Sequence, residues 1–165
     1  MIAALKALHP STWILMIVLM FIGASPGSTG GGVKTSTSGI LFATVWATVR
    51  GDGDTALFRR RIPAEVVRRA LAIVSLASIL LLVTTMILTF SEKFTPVRLL
   101  FEATSAFGTV GLTTGITTRL SDLGPWLMIG LMYTGRVGPL TLAAAIAARQ
   151  RQHQTRLAEE RVLVG

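Results

Sequence analysis

The chain has 165 residues, 51% of them hydrophobic, with no cysteine and a formal charge of +8; its mean hydropathy is +0.63. A soluble domain of this size is rarely so apolar, so membrane segments are implied, and the lack of cysteine excludes disulfides, thiolate metal sites and cysteine nucleophiles. Ten of the sixteen basic residues fall in two clusters, Arg50 to Arg69 and Arg149 to Arg161, without interleaved aromatics or a recognition fold, which argues against nucleic acid and for cytoplasmic faces of a membrane protein.

In chain order, Trp13 to Ile22 is apolar, Gly23 to Gly32 is a glycine, serine and proline break, and Ile40 to Val49 resumes an apolar pattern. Neither half reaches the 20 or so residues a spanning helix needs, so the two read as one interrupted crossing. Pro26 removes a helical donor and the glycines allow other torsions, which suits a loop at membrane depth acting as a gate at Gly27, Ser28, Thr29, Gly30, Gly31 and Gly32. Two other readings compete. Met1, Lys6, the apolar run and Gly23-Ala24-Ser25 imitate a secretory signal peptide, and Gly27 to Thr35 imitates a phosphate loop, although Val33 intrudes before Lys34-Thr35 and breaks the required spacing. Lys34 is expected to lay its stem along the helix with its head in water.

Gly51-Asp52-Gly53-Asp54 reads as a turn and Ile62 to Arg69 as a short surface helix. Ala70 to Phe90 is a continuous, nearly charge-free span. Thr95-Pro96-Val97 carries a helix-start signature, and Val97 to Ala106 is too short to cross, so it reads as a re-entrant helix. The uncharged stretch Ser105 to Gly115 follows. Backbone outside a helix is tolerated at this depth only where protein buries it or a watery cavity solvates it. Carbonyls of Gly108, Thr109, Val110 and Gly111 are therefore expected to line a pore, with potassium shedding its water at Thr109, Val110 and Gly111. Glu102, on the re-entrant helix, is placed to bond backbone donors of that loop, and a proton relay is a weaker reading. The third span runs from Leu123 to about Ala148, with Ser121 and Asp122 as cap candidates and a kink at Gly138-Pro139. Arg136 lies midway through it. Its guanidinium is expected to bond carbonyls of the Gly27 to Gly32 break and to set a cation barrier facing the gate. His9 and His153 are isolated and give no basis for a metal site.

Three motifs, MFIGASPGSTGGGVKTST, FEATSAFGTVGLTTGIT and GRVGPLT, in this order and spacing, resemble the Trk/Ktr/HKT superfamily of potassium transporters, most closely the Ktr-type membrane subunit. The resemblance implies an all-α membrane protein with an interrupted transmembrane helix followed by one helix, re-entrant pore loop, helix repeat. Residues 1–50 would end the third of four repeats, 51–65 form a basic cytoplasmic connection, 66–148 the fourth repeat and 149–165 a cytoplasmic tail. Gly111 falls at the family's filter glycine and Arg136 at the arginine facing the gating loop.

Met1 begins about where a third pore loop would end, so the chain is expected to be a fragment that needs the missing repeats of the same pore subunit. Further expected partners are a second copy in a homodimer, a nucleotide-sensing cytoplasmic ring and membrane lipid. No covalently bound cofactor is expected, only transported potassium, with sodium as an alternative ion. The expected location is the plasma membrane, the bacterial inner membrane, with the N-terminus outside and the C-terminus cytoplasmic. The rival from another class is a non-transporting anchor or assembly subunit; no nucleophile and base pair supports an enzyme.

Overall fold

The structure, a computed structural model, describes residues 9–51, 56–57 and 60–138. Helix α1 (Pro10–Phe21) stops where Gly23-Ala24-Ser25-Pro26 begins, and α2 (Thr35–Arg50) follows after a loop, ending at Gly51 with a left-handed φ of 76°. The loop between them is closed at its base. Gly23 N–H donates to Val33 O at 2.7 Å and Val33 N–H to Phe21 O at 3.1 Å, so Ile22 and Val33 pair in parallel. The two half-helices are thereby stitched together by main chain while the glycine-rich segment stands out as a closed bulge.

A two-residue antiparallel ladder, β1 (Ala56–Leu57) with β2 (Arg60–Arg61), occupies the basic connection. It is the one departure from helix among the described elements. Helix α3 (Ala64–Ser91) then runs unbroken for 28 residues. The separate surface helix expected up to Arg69 does not exist as such. Nothing between Arg69 and Ala70 breaks a helix, Pro63 stands at the N-cap position, and an exposed Glu65–Arg69 pair one turn apart supports the first turns. α3 is the one helix among the described residues that is long and apolar enough to cross a membrane, with a mean hydropathy of 2.6 over an 18-residue stretch. At 1.5 Å per residue it spans about 42 Å, more than the hydrocarbon layer, which leaves its arginine-bearing start outside the apolar region.

Helix α4 (Pro96–Gly108) has 13 residues, about 20 Å, too short to cross. Every residue from Phe101 to Gly108 is buried, because α1, α3 and α5 (Leu123–Val137) all pack on it. The chain returns through a 3-10 turn at Thr117–Arg119. Ser121 and Asp122 make no side-chain cap of α5. Glu92, at the end of α3, does the fastening instead: its Oε1 accepts from Ser121 N–H at 2.8 Å and from Ser121 Oγ at 2.6 Å. Glu92→Ala removes an ionised acceptor from a partly exposed site and is expected to cost about 1 kcal/mol, read as a lower thermal midpoint of the detergent-solubilised protein; an unshifted midpoint would mean the latch carries no stability.

α5 ends at the step where the sequence places a kink. The helix stops at Val137, and Gly138 takes φ 89°, ψ 132°. The residue before a proline is driven out of the helical region and Pro139 brings no N–H to continue the ladder. The expected continuation to Ala148, the tail and most of the Gly51 to Asp54 turn lie outside the described residues.

Leu88, Leu99, Ala103, Phe107 and Leu131 form the core between α3, α4 and α5, while Trp13, Met20 and Phe101 close the α1 side. The outer faces are equally apolar. Phe42, Val49, Phe90 and Trp126 are all more than 70% exposed, an arrangement unfavourable in water and natural against lipid. Arginine–aromatic pairs sit at segment ends: Arg50 stacks on Trp46 in the last turn of α2, Arg98 in the first turn of α4 on Trp13, and Arg119 of the 3-10 turn on Phe94, the pairing that interfacial aromatics and cations make.

Candidate functional site

The chain leaves α4 abruptly. Thr109, with φ 51° and ψ 38°, is the one non-glycine residue with positive φ among those described. For a β-branched residue this conformation costs on the order of 1–3 kcal/mol and persists only where surroundings impose it. Three bonds impose it here: Thr109 N–H to Ala106 O at 3.1 Å, Val110 N–H to Ser105 O at 3.0 Å, and Gly31 N–H to Thr109 Oγ1 at 3.1 Å. Gly111 follows with φ 80°. The carbonyl oxygens of Thr109, Val110 and Gly111 accept no hydrogen bond among the described residues. Thr109 and Gly111 line a groove of about 850 Å³, opposite Met132, Tyr133 and Arg136 of α5.

Gly108 is glycine for a different reason than Gly111. Its backbone is helical, but a Cβ there would lie 2.9 Å from Met20 O, whereas a Cβ at Gly111 would meet nothing within 4 Å. One position is fixed by space and the other by torsion.

The glycine-rich loop is wedged beneath the same helix end. A Cβ on Gly31 would sit 2.7 Å from Phe107 O, and one on Gly135 of α5 only 1.9 Å from that oxygen. Three backbones therefore converge on one carbonyl. Ser25 to Ser28 forms a turn with Pro26 and Gly27 at its centre, Gly27 at φ 84° and Ser28 N–H bonded to Ser25 O, the torsion a type II turn demands of its third residue. Ser28 Oγ accepts from Gly30 N–H at 3.1 Å. Thr29 is exposed, Gly30 half-buried, and Gly31 and Gly32 buried, so the loop has an open tip and a packed root.

The loop's free carbonyls are held by Lys34. Its Nζ donates to Gly30 O at 2.6 Å and to Ser28 O at 3.3 Å. This corrects two expectations: the head of the half-buried Lys34 is tied back to the loop carbonyls, and Arg136 makes no bond to the loop among the described residues. Lys34 follows the loop directly in sequence, so a four-carbon stem folded back over one turn reaches those oxygens first. Arg136 instead is exposed on the wall of the groove that Thr109 and Gly111 line. The bond from Gly31 to Thr109 and the contact at Gly135 were not foreseen; the small residue just before Arg136 was the available signal for the second.

Glu102 is buried and turned toward the return arm. Its Oε1 accepts from Thr114 N–H at 2.6 Å, Thr113 Oγ1 at 2.8 Å and Thr114 Oγ1 at 2.9 Å; Oε2 accepts from Thr117 Oγ1 at 2.6 Å. No group of three metal-ligating side chains occurs among the described residues.

A short buried helix held between helices with apolar outer faces, ending in carbonyls without donors beside a groove, is the arrangement of a helical membrane protein. Residues 1–156 match the TrkH family of cation transport proteins, and the chain belongs to that family. It is a family of transporters, not of enzymes, and the membership agrees with the resemblance carried by the three motifs. The chain is 40% identical over 152 residues to the Ktr system potassium uptake protein B of Vibrio alginolyticus, covering 92% of this chain and 33% of that protein. It is 36% identical to the Ktr system potassium uptake protein D of Bacillus subtilis, covering 98% of this chain and 36% of the relative. Against the potassium/sodium uptake protein NtpJ of Enterococcus hirae the identity is 37%, with coverage of 92% and 35%. The chain thus spans about a third of the length of these relatives.

Proposed function

We propose that the chain forms part of a potassium uptake pathway, in which the carbonyls of Thr109, Val110 and Gly111, entered past Gly108, act as one sector of a selectivity filter. The observation that carries this reading is the set of three consecutive backbone oxygens without donors, in non-helical backbone, beside a groove. Carbonyl oxygens so placed substitute for the hydration shell of a potassium ion. Gly27 to Gly32 serve as the gate below the filter, and the Arg136 guanidinium, at the groove wall, sets a charge barrier that a passing cation must cross. Other pore segments complete the ring of oxygens. The names of the relatives support potassium as the ion, with sodium as the competing ion that NtpJ's name introduces. A homodimer, a nucleotide-sensing ring on the basic face and an external N-terminus belong to the same proposal. A mere anchor has no use for unpaired carbonyls at this depth.

Gly111→Ser tests the filter. At φ 80° a side chain is strained by about 1–2 kcal/mol, so the carbonyls relax, and the ratio of potassium to sodium uptake by the intact transporter is expected to fall about tenfold. An unchanged ratio would remove Gly111 from the filter.

A further inference from the structure

Glu102 has no cationic partner among the described residues, and it is 4% exposed. Its four contacts are all with one short arm. Thr113 Oγ1 also accepts from Gly115 N–H at 2.9 Å and lies 2.9 Å from Thr117 Oγ1, so the carboxylate organises residues 113–117 as a unit. One turn further along α4, Ser105 Oγ donates to Leu112 O at 2.6 Å. The segment 109–111 is thus fixed upstream by its covalent continuity with α4 and downstream by two side chains of that same helix. Between these fixtures its oxygens are free of donors.

We propose that Glu102 is a positioning residue that determines ion selectivity, holding the Thr113 to Thr117 arm so that the carbonyls of Thr109, Val110 and Gly111 keep their separation from the transported ion. The proposal rests on the filter reading above. Whether potassium is preferred through the size of the carbonyl cage or through the field of its dipoles, the preference is lost when the oxygens can close around a smaller ion. An arm released from Glu102 gives them that freedom. The role is geometric rather than one of charge, and the chemistry of the contacts separates the two. In Glu102→Gln the amide oxygen still accepts the three donors now on Oε1, and the amide N–H donates to Thr117 Oγ1, since a hydroxyl accepts as readily as it donates. In Glu102→Ala a buried N–H and three hydroxyls lose their acceptor together.

The test measures potassium and sodium uptake, with apparent KM for each ion and the amount of protein in the membrane, for the intact transporter in cells lacking their own potassium uptake. Glu102→Ala is expected to lower the potassium to sodium preference about tenfold, with Glu102→Gln staying close to the unmodified protein. A Glu102→Ala variant that loses only maximal uptake, in proportion to its amount, with the preference intact, overturns the proposal, and so does a Glu102→Gln variant as unselective as Glu102→Ala, which would assign the role to charge. If Glu102→Ala fails to reach the membrane, Thr113→Val combined with Thr117→Val removes two of the donors and leaves the carboxylate; a lowered preference supports the proposal and an unchanged one overturns it. Gly111→Ser is the reference. When it lowers the preference and Glu102→Ala does not, the Glu102 role alone fails; when neither does, the filter reading fails.

Discussion

Deletion of Gly30 to Gly32 is expected to raise the initial rate of potassium uptake through the intact transporter by about tenfold or more. The deletion takes away the Gly31 N–H bond to Thr109 Oγ1, the Gly31 backbone lodged against Phe107 O, and Gly30 O, the nearer of the two oxygens that hold the Lys34 ammonium. With the root of the loop gone, what remains lacks the residues that contact Thr109 and Phe107. Lys34→Met is the graded version. It keeps the loop and its root but strips the ammonium bonds from the tip, so a rise of about threefold is expected, about 0.7 kcal/mol and in the range of one ordinary net hydrogen bond. Rubidium uptake in cells expressing matched amounts of protein gives both numbers. Unaltered or reduced uptake after the deletion would make the loop a static filler between helices rather than a gate.

What could be read from the sequence was whatever its near neighbours dictate. The break at Gly23 to Gly32 follows from a proline and clustered glycines in an apolar run, and the re-entrant helix from Thr95-Pro96 and a length that cannot cross. The break after Val137 was local too, since a residue preceding proline resists the helical region and the Gly138-Pro139 step marks it. Contacts between distant residues were another matter. The left-handed turn at Thr109 is closed in part by Gly31, 78 residues earlier, which donates to its hydroxyl, and no periodicity carries such information. The competition between Lys34 and Arg136 for the loop carbonyls was decided by tether length. A charge four residues from an orphan carbonyl reaches it without any tertiary arrangement, and the sequence held that clue in the interval from Gly30 to Lys34. Glu92 gave no sign of holding Ser121, since only the folding of the α3 end against the start of α5 brings them within reach.

Gly135→Ala is expected to abolish uptake and to lower the thermal midpoint of the detergent-solubilised protein more than any other single methyl addition on α5. In lipid there is no hydrophobic drive to bring helices together, so close approach of backbones over small residues supplies much of the association. Gly135 is such a place: an added Cβ would lie 1.9 Å from Phe107 O, 2.8 Å from Phe107 C and 3.2 Å from Phe107 Cα, all main-chain atoms. No rotamer relieves this. Either α5 moves outward or the end of α4 moves away, and overpacking of this kind costs about 1–3 kcal/mol even where side chains can give. Phe107 directly precedes Gly108 and Thr109, and its carbonyl is the same one against which Gly31 rests, so displacement reaches residues 109–111 and the loop root together. Gly130→Ala is the control on the same helix. A Cβ there meets nothing within 4 Å, and the substitution is expected to leave uptake intact and to favour the helix by up to about 1 kcal/mol. If Gly135→Ala behaved like Gly130→Ala, α5 would not touch α4 at Phe107, and the mechanical connection between residues 109–111, the loop and α5 would be gone.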